Sequence, residues 1–300
     1  MKTNYHENTV AFYYDKQWKT LERWWLAGET LGLHYAYYDK NVKNFKDAIY
    51  RMNELIGNIL SLNDTQPKKI LDAGCGVGGT SIYLAKKYPN VQFIGITIAP
   101  GQKELAQKFI LVKKIKNVTV IEGDYNHTQF PDNYFDGVFA LESISYTKNI
   151  QDFIKEMHRI LKPGGRLVVI DGFQTGKQIN PIIQKFYENY LRGRGHQQLT
   201  IPLLTTYGTY LKENGFTQIQ IKDLSNNVAR SLVRSFIIGL PFFLSFILKK
   251  IITLGTYNIT KNFNEFSMGV SVMTPVIGLS NVARYYLTTA IKNERNPEHI

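Results

Sequence analysis

Cysteine is all but missing from this 300-residue chain: Cys75 is the single one, so an intrachain disulfide and a zinc cluster of thiolates are both excluded. Long apolar runs are missing too. The longest reaches from Ser235 to Leu248, fourteen residues interrupted by Gly239 and Pro241 and followed by Lys249 and Lys250. That is short of the roughly 20 residues a membrane-spanning helix needs. This stretch is expected to pack in the core or line a greasy pocket, with transient contact to a membrane surface as the alternative. The opening MKTNYHENTV holds no apolar run, so no secretory signal is expected. Basic runs interleaved with aromatics do not occur, and nucleic acid is not expected as a partner. With 44% hydrophobic and 20% charged residues, disorder and low-complexity classes are excluded.

Acidic residues thin out toward the C-terminus. Residues 177–300 hold 14 basic and 6 acidic side chains, so +8 of the whole chain's +12 sits there. A surplus of this kind raises the local concentration of an anionic partner, such as a phosphate or an acidic membrane, and otherwise serves solubility. The reading is a soluble, cytoplasmic, globular chain of about two domains by length.

Three rhythms follow along the sequence. Residues 1–65 show apolar and aromatic positions at helical spacing, through Phe12, Trp18, Leu21, Trp24 and Trp25 and again from Phe45 to Leu62. An aromatic-dense loop, LGLHYAYYD, lies between them. Residues 66–175 alternate strands (KKILDAG, VQFIGIT, NVTVIEGD, FDGVFAL, RLVVIDG) with helices (GTSIYLAKKY, QKELAQKFILVKK, IQDFIKEMHRILK). That alternation predicts a doubly wound α/β fold with a parallel sheet, ligands binding at the C-terminal ends of its strands. Residues 176–300 predict a helix over TYGTYLKENGF, a strand over TQIQIKDL, a long apolar helical region to about residue 255, and a last strand, ARYYLTTAIK.

The strongest local signal is Asp72-Ala73-Gly74-Cys75-Gly76-Val77-Gly78-Gly79, after a strand and opening a helix. Glycines there let the backbone turn sharply and approach a ligand. The spacing of Gly74, Gly76 and Gly79 also satisfies the dinucleotide fingerprint. Two features point elsewhere. The second strand ends in Ile96-Thr97-Ile98-Ala99-Pro100, without the carboxylate that binds a dinucleotide's ribose. Asp72 stands before the glycines, where a carboxylate suits an ammonium rather than a pyrophosphate. A cofactor joining an amino acid to adenosine fits better.

LDAGCGVGG resembles the first motif of the class I S-adenosylmethionine-dependent methyltransferases. GITIAPGQ resembles the second-strand segment of their sterol, tocopherol and prenyl diphosphate C-methyltransferase group, which commonly has Thr, Ser-Pro and Gln where others place an acid. GDYNHTQFPDNYFDGVFALESISY and RILKPGGRLVVID are similar to later segments of that group, and LHYAYYD to its LHYGYWD-like segment. The resemblance covers about residues 30–175 well and extends weakly through GFTQIQIKDLS and RYYLTTAIK. It implies a seven-stranded Rossmann-like methyltransferase sheet with a helical N-terminal lid and a C-terminal helical insertion. It also implies S-adenosylmethionine as cofactor, its methionyl part on Asp72, Gly74 and Gly76, its ribose on Thr97 and Gln102, and its adenine on Asp124 and Tyr125.

For the reacting end, Glu142 in ALESISY follows a strand whose end should face the cofactor, which makes it a candidate general base. The resemblance of Glu-Ser-x-x-Tyr to prenyl diphosphate methyltransferases suggests carbon methylation, with Tyr146 as a pocket wall. An aromatic wall would stabilise a carbocation through ring faces; Trp24 and Tyr35 are candidates for it. Arg192 and Arg194, with Arg230 and Arg234, could hold an acceptor's diphosphate through planar forks, and such an acceptor would bring Mg2+ with it. No His, Asp and Glu set shows metal spacing. His34 and His196 are expected at the surface. The expectation is methylation of a small hydrophobic, anionic isoprenoid on carbon. O- or N-methylation of an amphipathic molecule, or cofactor binding without turnover, are the alternatives.

Overall fold

The computed structural model describes residues 10–63, 65–178, 180–196, 198–252 and 263–294. The first nine residues, where no secretory signal is expected, and residues 253–255 of the apolar region lie outside the described ones. Three helices precede the sheet: α1 (Val10–Trp24), the single turn α2 (Ala27–Thr30) and α3 (Phe45–Ile59). The start of α3 is set by Asn44, whose side chain accepts a hydrogen bond from the Asp47 amide at 2.9 Å. Its inward stripe of Ile49, Met52 and Ile56 is fully buried.

Strands β1 (Lys68–Ala73), β2 (Val91–Thr97), β3 (Val118–Glu122), β4 (Phe135–Leu141) and β5 (Leu161–Gln174) alternate with α4 (Gly79–Lys87), α5 (Pro100–Val112) and α6 (Ile150–Ile160). After β5 come α7 (Pro181–Gly193), α8 (Leu204–Glu213), β6 (Phe216–Asp223), α9 (Ser225–Ile252), α10 (Phe263–Gly269), α11 (Thr274–Ser280) and β7 (Ala283–Lys292). The seven strands lie in the order β3-β2-β1-β4-β5-β7-β6. Period-two alternation splits the core between the two faces of the sheet. Leu71, Val138 and Val169 pack with α6 and α8 on one face, while Ile70, Phe139 and Val168 pack with α3, α4 and α9 on the other. Phe139 is completely buried, and truncating such a side chain to Ala typically costs about 3–5 kcal/mol.

The strands of residues 66–175 pair in parallel as expected, and the sheet becomes mixed only at its far side, where β7 returns after the α9–α11 insertion and pairs antiparallel with both β5 and β6. Two departures from the expected fold have physical reasons. Helix α6 stops at Ile160, two residues early, because Pro163 disfavours helical backbone at Lys162. The apolar stretch from Ser235 is part of one 28-residue helix, α9, and most of its large apolar side chains are exposed rather than packed in a core. Among the described residues α9 is the one helix long and apolar enough to cross a membrane. The α9–α11 segment connects Asp223 to Ala283, both at the edge of the sheet where β5 ends. The insertion therefore rises over the ligand-binding edge.

Candidate active site

Two cavities meet at that edge. The first, of about 620 Å³, lies beyond β1, β2 and β4, and its wall contains Asp72, Gly74, Gly76, Thr97, Gln102, Asp124 and Tyr125. Gly74 takes a φ of +90°, and a Cβ there would run into Ser143. Ser143 donates from Oγ to the Ala73 carbonyl at 2.6 Å, so the loops after β1 and β4 are joined. Tyr125 donates its hydroxyl to the Ser143 carbonyl at 2.8 Å and offers its ring to the wall. Gln102 is turned toward the lid, donating from Nε2 to the Tyr14 carbonyl at 3.2 Å, while its buried Oε1 has no hydrogen-bond partner among the described residues. Asp124 is half exposed at the rim.

Asp72 is buried at the floor. Its Oδ2 accepts from the Ser81 hydroxyl at 2.7 Å, and burial pushes its carboxyl from 3.8 up to about 7. A carboxylate in this position gains most from an arriving cation. With Gln102 in the same wall, its buried oxygen unpaired among the described residues, these acceptors fit an ammonium at one end and ribose hydroxyls at the other.

The second cavity, of about 540 Å³, is walled by α1, α7, α9 and α11. Tyr14, Leu33, Glu142 and Tyr146 line both cavities, so Glu142 stands at their junction. Its backbone takes a φ of +50°, in the left-handed region that costs a non-glycine residue energy and that recurs at functional sites. Oε1 accepts from the Tyr35 amide at 2.6 Å and from the Tyr285 hydroxyl at 2.7 Å, while Oε2 makes no hydrogen bond among the described residues. Burial raises the Glu142 carboxyl from 4.5 to about 7, against the lowering effect of those two donors.

Of the residues expected on the acceptor side, Tyr35, Tyr146 and Arg194 line the second cavity. The Tyr14 and Tyr146 hydroxyls meet at 3.3 Å, and Tyr35 meets Tyr190 at 3.2 Å. Among the described residues Arg194 is an interior cation without a carboxylate partner. Its guanidinium donates to the Tyr13 hydroxyl at 2.9 Å and to the Ser235 and Ser271 hydroxyls at 3.3 and 3.4 Å, and it lies over the Tyr190 ring.

Four expectations are corrected. Trp24 is on the outer surface against Phe242, and Trp25 lines the cavity instead, because neighbouring helical positions point about 100° apart. Arg192 is exposed for the same reason, two positions from Arg194. Arg230 and Arg234 stack on Tyr38 and Phe45 and do not line the acceptor cavity. Neither histidine is a surface residue. His34 is buried in the first cavity's wall, and His196 stacks on Tyr146 with ring centroids 4.2 Å apart. Burial pushes the imidazoles down to about 4 and about 3 respectively, so both are neutral at pH 7.

The sequence reading missed Tyr285, Tyr190 and Asp171, which come from elements far apart in the chain. Asp171 was the most readable of these. It lies within β5, one residue past the pairing of Ile170 with Leu141 that leads to Glu142, accepts from the Ser145 and Gly172 amides, and is raised by burial to about 6.

A family model described as a methyltransferase domain matches residues 71–169. The chain is 31% identical to a probable tocopherol O-methyltransferase, chloroplastic, of Oryza sativa subsp. japonica, over 54% of this chain and 45% of that protein. It is 26% identical to the ajmaline N-methyltransferase of Rauvolfia serpentina, over 74% of this chain and 78% of that one. The chain spans about half the length of the tocopherol methyltransferases it matches. In fold it is similar to the geranyl diphosphate C-methyltransferase of Streptomyces coelicolor A3(2), with a TM-score of 0.69 at 16% identity, covering 94% of this chain and 97% of that one. With the seven-stranded sheet and the glycine loop at its edge, these likenesses show a methyltransferase domain over residues 71–169 in a chain with the α/β methyltransferase fold.

Proposed function

We propose that the protein transfers a methyl group from S-adenosylmethionine to an isoprenoid double bond of a hydrophobic acceptor held in the second cavity. One observation carries this reading: Glu142 stands between the two cavities with one oxygen doubly held and the other unbonded. The first cavity suits the cofactor, with Asp72 opposite its ammonium, Gly74 and Gly76 against its methionyl part, Thr97 and Gln102 at the ribose, and Asp124 and Tyr125 around the adenine. When bound, the cofactor supplies a sulfonium methyl whose carbon–sulfur bond breaks with both electrons left on sulfur. The acceptor's double bond supplies the electron pair of the new carbon–carbon bond and becomes a carbocation. Rings of Tyr14, Trp25, Tyr35 and Tyr146 face that charge. Glu142 takes the adjacent proton through Oε2 and the double bond re-forms. Much of the rate comes from holding donor and acceptor in line.

His196 is the weaker base. Its Nδ1 lies 3.1 Å from the Ser145 carbonyl, which requires a proton on that nitrogen, and its acidity constant near 3 leaves little drive to take another. Glu142, near 7, is matched to the task.

Arg194 suits an anionic or carbonyl oxygen at the acceptor's polar end. Arg194→Met raises the acceptor KM by about tenfold or more, the scale of one lost charged hydrogen bond, whereas Arg192→Met leaves it unchanged. Steady-state kinetics on the two variants checks this contrast, and equal effects would remove Arg194 from the acceptor site. The acceptor class is tested by incubating the protein with methyl-labelled S-adenosylmethionine and a panel of prenyl diphosphates, sterols, phenols and amines, with and without Mg2+. Mass spectrometry then locates the label. Transfer to an isoprenoid carbon is expected; label on oxygen or nitrogen alone overturns the acceptor assignment and retains methyl transfer.

A further inference from the structure

Helix α9 carries two apolar faces, and the globule uses one of them. Val228, Ser231, Ser235, Ile238 and Gly239 are buried. Ser231 Oγ accepts from the Ala36 amide at 2.9 Å, and Asn227 donates to the Tyr38 carbonyl at 2.8 Å. Gly239 lies so close to the next segment that an added Cβ would stand 2.9 Å from Ser271 Cβ. This face is seated on the protein and cannot be released without opening the acceptor cavity.

At 3.6 residues per turn the opposite face holds Val233, Ile237, Leu240, Leu244, Leu248 and Ile251. All six are exposed, and Ile237 and Leu248 keep 63% and 58% of their residue surface in contact with solvent. No described residue covers this stripe. Leu279 on α11, the most exposed large apolar residue among the described ones at 84%, continues it. Val233 and Leu279 also line the acceptor cavity, so the stripe runs into that cavity's mouth.

An apolar helix face that no protein covers calls for an apolar partner. Because one side of α9 is fastened to the globule, the helix cannot cross a bilayer as an isolated span. It can lie in the plane of the interface. Charge favours the same partner: Lys250, exposed in the last turn, flanks the stripe, and residues 177–300 carry a net +8.

We infer that the α9–α11 face docks on the surface of an anionic phospholipid bilayer and sets the mouth of the acceptor cavity against the lipid. A hydrophobic acceptor dissolved in the bilayer would then reach Glu142 without crossing water. The route rests on reading the second cavity as the acceptor site; the docking itself does not.

The test is co-sedimentation of the 300-residue chain with vesicles of phosphatidylcholine, with and without phosphatidylglycerol, alongside the triple variant Ile237→Asp/Leu244→Asp/Leu248→Asp. None of these three side chains lines either cavity. Wild type should pellet with the phosphatidylglycerol vesicles, less so at high salt, and the variant's partition coefficient should be about tenfold lower or more. Lys250→Ser should lower binding to the anionic vesicles about fivefold and leave binding to neutral ones unchanged. Circular dichroism and thermal unfolding like wild type would show that the triple variant is folded. Wild type left in the supernatant with both vesicle types overturns the inference, as does equal binding by the folded variant. A wild-type dimer in analytical ultracentrifugation that the variant dissolves also overturns it, by giving the face to a second copy. None of these readouts needs methyl transfer, so failure here is distinct from failure of the proposed reaction.

Discussion

Glu142→Gln lowers the rate of methyl transfer by about 10²–10⁴-fold, the range a positioned general base supplies, and leaves S-adenosylhomocysteine affinity at its wild-type value. The substitution is chosen for its geometry. Both hydrogen bonds to the side chain end on Oε1, from the Tyr35 amide and the Tyr285 hydroxyl, and a glutamine carbonyl accepts both. What changes is the second oxygen, which becomes an amide that cannot take a proton. A loss of rate with intact cofactor binding therefore assigns proton transfer rather than packing. The pH profile gives an independent check. The base works as the carboxylate, and burial places its titration at about 7. Turnover by the wild-type chain should accordingly rise from pH 5 to a plateau above 7, and the residual rate of the variant should lack that limb. Wild-type turnover by the variant would remove Glu142 from the chemistry.

The second large effect concerns Asp72, where one substitution moves two measurements in opposite directions. Asp72→Asn weakens S-adenosylhomocysteine binding by about 2–5 kcal/mol, from tens to thousands in Kd, because the ligand's ammonium is left in a buried site without its counter-charge. The ligand-free variant is nevertheless more stable than wild type above neutral pH. The native carboxyl keeps its proton to about pH 7, whereas the unfolded one keeps it only to 3.8. Its favourable contribution is therefore complete below 3.8 and is lost as the pH rises to 7, beyond which the charged form is buried at a cost. The asparagine has no such dependence. Melting temperatures of the two ligand-free proteins should coincide near pH 4 and separate by several degrees at pH 8, with the variant higher. Wild type should also release a proton on binding the ligand below pH 7, visible by calorimetry in buffers of different ionisation enthalpy, and the variant should not. A variant that binds as wild type and melts as wild type at pH 8 would place the ammonium elsewhere.

How far these sites could be read from the chain differs from residue to residue. Asp72 was legible because a carboxylate and its glycines lie within eight consecutive positions, after a strand whose edge is known from the alternation of elements. The same holds for Thr97, Asp124 and Glu142, each at or just past the end of a strand of a doubly wound sheet. The acceptor cavity was harder to read. Its wall joins Tyr13 of α1, Arg194 at the end of α7, Ser235 of α9 and Tyr285 of β7, and no spacing links positions that far apart. The choice of Trp25 over Trp24, and of Arg194 over Arg192, turned on the phase of a helix relative to its neighbours. The histidines were misplaced because a lone imidazole in a loop carries no sign of what will be folded over it.

By itself the sequence determined the alternating strands and helices, the glycine turn, and the carboxylates at the sheet's edge, since periodicity and local backbone preference act within a few residues. Only the tertiary structure decided the reversed β7, the junction that gives Glu142 its two cavities, and which face of α9 is left bare. Those depend on contacts between segments more than a hundred residues apart, such as the Tyr285 hydroxyl on Glu142. They also depend on burial, which raises the two carboxyls to near 7 only once the chain has closed around them.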